Sequence, residues 1–246
     1  MPKLPIDAEL RVWADRSFVR LGQLLGADRM LKGEVILPTP EHFPDPYDQS
    51  EESLKHMVGR VAAAMQVDAR SFDVELFQSD YEVSRKLVPF FHGGSPDASG
   101  FYFHAPEERQ KIAVNAAEMK DPIALVATIA HEIGHIILLR PGLVQRDEQD
   151  MEPLTDLLTI FFGFGIFTAN SAFRFKQFTN NYSQGWSTKR LGYLPEPMLG
   201  YALARFAFER DEKKPEWASY VADNIKPYMK PSLAWLVKNG EPRLLS

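Results

Sequence analysis

The chain has 246 residues, 45% of them hydrophobic and 12% aromatic, enough to bury a core and far from a disordered composition. A formal net charge of −5 with no basic cluster argues against nucleic acid and anionic membranes as partners. There is no cysteine, so disulfides, thiol nucleophiles and thiolate metal sites are excluded, and any metal must be held by His and carboxylate groups.

Met1 to Leu10 carries Pro2, Pro5, Asp7 and Glu9 and contains no apolar h-region, so a signal peptide is not expected and a cytoplasmic location is the default. Residues 8 to 31 are predicted helical, with Leu10, Val12, Trp13, Phe18, Leu21, Leu24 and Leu25 spaced for one face. Pro38, Pro40, Pro44 and Pro46 mark an extended linker from Ile36 to Pro46. Ser50-Glu51-Glu52-Ser53 then caps a helix expected to run to about Gln66. Phe72 to Phe77 alternates like a strand, and His92 to Gly100 is a turn-rich loop. Phe101 to His104 and Lys111 to Val114 are predicted as two short strands around Ala105-Pro106-Glu107-Glu108.

Asp121-Pro122 opens the segment with recognisable chemistry. Asp suits an N-cap and Pro the first helical position, where its missing N–H costs nothing. Leu125, Val126, Ile129, Ile133, Ile136 and Ile137 recur at helical steps, and Arg140-Pro141-Gly142 is a stop signal. Within this apolar helix lies His131-Glu132-Ile133-Gly134-His135. Residues four apart share a helix face, so both imidazoles can meet one metal ion, with Glu132 beside them as an acid/base carboxylate. Taking three polar groups into such a core costs several kcal/mol unless hydrogen bonds or a metal satisfy them.

A catalytic zinc normally has three protein ligands, and an acidic stretch follows: Asp147, Glu148, Asp150, Glu152 and Asp156. Glu152 and Asp156 are four apart, and Pro153 suits the first turn of a new helix. Together with the HExxH segment, this ExxxD pair resembles the gluzincin metallopeptidases over roughly residues 110 to 160. The resemblance implies zinc held by His131, His135 and Glu152, with Asp156 orienting His131 and Glu132 acting as general base. Glu148, Asp150 and Asp156 stay open as alternative third ligands. It further implies a zincin-like core with a small sheet before the HExxH helix, whose edge strand would pair with an extended peptide; Lys111 to Asn115 is the candidate, an inner hairpin strand the alternative. An oxyanion donor would come from a downstream tyrosine among Tyr182, Tyr193 and Tyr201, with Tyr193 favoured.

Leu157 to Ala169 is expected to form one buried helix packed on the HExxH helix, too short to span a bilayer. Ser171 to Gly192, with Tyr182 and Trp186, is expected as a loop over a cleft. Met198 to Glu209, Trp217 to Met229 and Pro231 to Lys238 are predicted helices. The expected class is α+β, mostly helical. Its expected parts are an N-terminal helix and Pro-rich linker (1–48), a metal-binding core (49–185) and a C-terminal helical part (186–246). Two functions compete: a zinc-dependent hydrolase cleaving a peptide or protein substrate, and a non-catalytic zincin-like binding or regulatory module. The intact Glu132 favours the hydrolase, because a structural zinc needs no acid/base group.

Overall fold

A computed structural model describes residues 4–77, 100–103, 110–140, 143–145, 148, 150–179 and 194–245, with backbone alone for 100–103 and 173–179. Several predicted features lie outside these residues: the loop at His92 to Ser99, His104, the Ala105–Glu108 turn, Pro141-Gly142, Asp147, and the tyrosines Tyr182 and Tyr193 with Trp186. Among the described residues the chain is mostly helical, with eight α-helices and one three-stranded sheet. No helix among them is long and apolar enough to cross a membrane.

The chain divides into two compact units. One comprises Pro38–Gln145 and Phe173–Trp186. Here the Pro-rich stretch carries no helix or strand, and Tyr47 donates from its hydroxyl to the Met119 carbonyl at 2.6 Å. Helix α3 (Glu51–Ala64) begins where predicted, the Ser50 hydroxyl accepting from the Ser53 N–H at 3.1 Å. The sheet holds β1 (Phe72–Phe77), β2 (Gly100–Phe103) and β3 (Gln110–Asn115). β2 and β3 form the anticipated antiparallel pair, while β1 joins β3 in parallel, Phe72 opposite Gln110. β3 is therefore the central strand, and the expected edge role for Lys111 to Asn115 is overturned. Its N–H and C=O groups are used on both sides, leaving none for a guest strand.

Helix α4 (Pro122–Leu138) follows. Asp121 caps it, its carboxylate accepting from the Ile123 and Ala124 N–H groups at 3.1 and 3.3 Å, and Pro122 sits in the first turn. Every residue from Ala124 to Leu138 is buried, with α3, β2 and β3 packed against it. Removing the cap by Asp121→Ala should cost about 1 kcal/mol, read as a lower midpoint in urea unfolding with unchanged slope.

The other unit comprises Met1–Leu37, Arg146–Ala172 and Ser187–Ser246. The single helix expected over residues 8–31 is two: α1 (Ala8–Leu25) and α2 (Asp28–Lys32). Gly26 breaks it with φ 88°, in the left-handed region that only glycine enters without strain. The expected helix from Leu157 to Ala169 is likewise divided. α5 (Met151–Phe161) ends in a turn through Gly163, φ 88°, and α6 runs Gly165–Thr179, so Ser171 to Thr179 is helix rather than loop. A Cβ on Gly163 would stand 2.2 Å from the Glu34 carbonyl oxygen, and the Gly163 carbonyl accepts from the Ile36 N–H at 3.0 Å. The turn is thus seated on residues 34–36.

Helix α7 (Glu196–Glu209) matches prediction, but the helix expected over Trp217 to Met229 is α-helical only from Lys226. A short 3₁₀ turn at Glu216–Tyr220 is followed by α8 (Lys226–Asn239), which runs through Pro231. A proline there removes one N–H of the helix ladder, and the close packing of α7 on α8 outweighs the loss. At Gly200 the two backbones approach so nearly that a Cβ would lie 2.9 Å from the Met229 nitrogen. Buried polar groups tie α1 to α7. The Tyr201 hydroxyl donates to Asp15 at 2.7 Å, and Arg205, 1% exposed, donates to the same carboxylate at 3.0 Å. Burial, then the Asp15 charge, pushes the Tyr201 phenol well above its ordinary pKa. Glu209 accepts from the backbone N–H groups of Leu244 and Leu245, fastening the segment after α8.

Candidate metal centre

Helix α4 sets the geometry of its polar stripe. His131, Glu132 and His135 are 7%, 5% and 8% exposed, inside the most apolar stretch of the chain. One turn separates the imidazoles, whose ring centroids lie 4.8 Å apart at an interplanar angle of 81°. The nitrogens are thus brought close without stacking the rings. Burial at this level means each group must be satisfied within the protein or by a ligand.

Helix α5 carries Glu152 and Asp156. Glu152 lies in its first turn and is partly exposed. His131, His135 and Glu152 each offer one ligand atom, and these atoms lie within 4.8 Å of one another; this group can hold a metal ion. Ligand bonds of about 2 Å in a tetrahedron leave neighbouring ligand atoms roughly 3.3 Å apart, so side-chain rotation must close the remaining gap. Two imidazoles and a carboxylate are a donor set that zinc accepts, and a third ligand leaves a coordination position open.

The other carboxylates are occupied differently. Both oxygens of Glu148 accept from the Arg20 guanidinium, one of them at 2.9 Å, and that hydrogen bonding holds its pKa below the ordinary carboxylate value. Asp150 accepts from the Trp13 indole N–H at 2.9 Å. Asp156, 4% exposed, accepts from the Leu194 N–H at 3.0 Å, through Oδ2. Among the described residues, none of the three is in the group that could hold a metal ion.

Tyr201, a candidate oxyanion donor, is fully buried with its hydroxyl committed to Asp15, which removes it from that role. Tyr193, the favoured candidate, lies outside the described residues. One residue escaped the sequence reading. Thr128 shares the helical stripe of His131, Glu132 and His135 at spacings of three, four and seven, and is 3% exposed. Among the described residues its hydroxyl has no hydrogen-bond partner. A buried hydroxyl left so costs about 1–3 kcal/mol, and extending the i, i+3, i+4 stripe one turn upstream would have found it. Compared with known proteins, the chain matches no family model, no curated protein and no solved structure.

Proposed function

We propose that this chain is a zinc-dependent hydrolase, a gluzincin-type metallopeptidase with a zincin-like core, acting on a peptide or protein substrate. The observation that carries the reading is the convergence of His131, His135 and Glu152 ligand atoms within 4.8 Å, with a buried carboxylate, Glu132, next to the first imidazole on the same helix. In this reading the three side chains hold zinc, which when bound supplies Lewis acidity toward a carbonyl and makes water more acidic. Glu132 receives a proton on its carboxylate and delivers it to the leaving amine. Asp156 takes the N–H of His131 and fixes its tautomer, the usual service of a carboxylate behind a metal-bound imidazole. Tyr193 donates its hydroxyl to the oxygen on which negative charge develops. The apolar packing of α4 surrounds these groups with a low-dielectric medium and so strengthens each electrostatic contact.

Elemental analysis of the purified chain tests the proposal. Zinc should be stoichiometric in the wild type and in Glu148→Gln, and lost in His131→Ala and Glu152→Ala. Cleavage of a mixed peptide library should stop on adding a chelator and return with zinc. Absence of any transition metal after reconstitution would overturn the reading.

A further inference from the structure

Away from the metal centre, in the unit that contains α7 and α8, an open groove of about 570 Å³ runs beside α8. Its floor is apolar. Met229, Leu233 and Val237 form a row at four-residue steps along the helix, and Ala218 faces them from the 3₁₀ turn. Met229 and Leu233 are buried, whereas Val237 is 40% exposed, one of the few large apolar side chains left in solvent among the described residues. A parallel row on α8 reads Lys230, Ala234, Lys238, and the opposite lip is Lys213-Lys214-Pro215. All four lysines are exposed, and among the described residues none has a carboxylate within ion-pairing distance. Asp223, the acid nearest Lys230 in sequence, is paired with Lys226 at 2.9 Å.

We infer that this groove docks a short amphipathic α-helix of a partner protein, its apolar anchors on the Met229–Leu233–Val237 row and its acidic residues toward the four lysines. Charge complementarity selects the partner. The whole chain carries −5 and should repel acidic segments, yet the two lips set four exposed lysines around an apolar floor, with the Asp223 charge acting on Lys230 from beyond ion-pairing distance. Length agrees as well: from Met229 to Val237 the row rises eight residue steps, about 12 Å, room for two turns presenting anchors at i, i+3 or i+4, and i+7. A lipid surface fits less well, since a concave floor lies below the plane that a bilayer could touch. Nucleic acid fits less well too, because no lining residue is aromatic or arginine, the side chains that stack bases and fork onto phosphates.

The test uses the full chain and a displayed library of helical peptides. Leucine or phenylalanine is fixed at the anchor positions, and the flanking positions are randomised. Selection should enrich Asp and Glu at the flanks. A selected peptide should lose roughly tenfold or more of its affinity against K230E/K238E and against V237E. It should also weaken as salt shortens the Debye length below about 10 Å. All three substituted positions are exposed, and unchanged thermal unfolding would show that the variants fold. The inference is overturned if flanking acids are not enriched, or if binding survives both variants. It is equally overturned if the groove instead binds phosphatidylserine vesicles, or holds together a dimer that V237E dissociates. The outcome is independent of whether zinc is found.

Discussion

Glu132→Gln should lower peptide hydrolysis by about 10²–10⁴-fold while zinc content stays at the wild-type level. Glutamine keeps the length and one acceptor oxygen of the side chain but cannot take up a proton at neutral pH. The ligand atoms of His131, His135 and Glu152 are untouched by the change, so metal and rate should separate. His131→Ala makes the contrast, losing metal and rate together. Full activity in Glu132→Gln with zinc bound would remove the base from the mechanism.

Gly163→Ala should be the most damaging small substitution on the described backbone, at roughly 2–5 kcal/mol. Two effects add. The φ of 88° lies where a side chain collides with its own backbone, and the new Cβ would sit 2.2 Å from the Glu34 carbonyl oxygen. That oxygen belongs to a main chain anchored by the Ile36 N–H bond to Gly163 itself, so the obstacle cannot rotate away as a flexible side chain would. Against a total stability of about 5–15 kcal/mol, such a loss is a large share. Gly240→Ala separates the two causes: its φ is 60° but nothing lies within 4 Å of a Cβ there, so backbone strain alone should register. Urea unfolding of both variants checks this, and equal losses at the two positions would show that the Glu34 contact contributes nothing.

Local chemistry was readable wherever one residue decides the outcome. Ser50 and Asp121 start their helices because a side-chain oxygen can satisfy orphan N–H groups, a property visible in the residue type. The stripe of α4 was readable because its apolar period is long and unbroken. Breaks inside apolar stretches were not. Gly26 and Gly163 interrupt helices whose hydrophobic pattern continues past them, and the pattern reports burial, not continuity. Pro231 misled in the opposite direction, since the packing of α7 on α8 sustains a helix that propensity would end. Strand pairing was legible only for the hairpin; nothing in the alternation of Phe72 to Phe77 says which neighbour it takes. At the candidate metal site the sequence offered a surplus of acids. The partners that occupy Glu148, Asp150 and Asp156 in the structure, Arg20, Trp13 and the Leu194 amide, come from distant parts of the chain and were not legible in it.

The parallel alignment of β1 with β3 carries a kinetic consequence. Phe103 meets Lys111 across a short reversal, whereas Phe72 must find Gln110 nearly forty positions away. Closing the longer span costs about 1.4 kcal/mol more in chain entropy, two successive doublings of loop length and a little beyond. The hairpin therefore assembles early and offers β3 as a template, and β1 arrives afterwards as the slow partner. Until it does, the inner strand of the finished sheet spends part of its history as an open rim, and the nascent chain is most vulnerable to association with its neighbours during that interval.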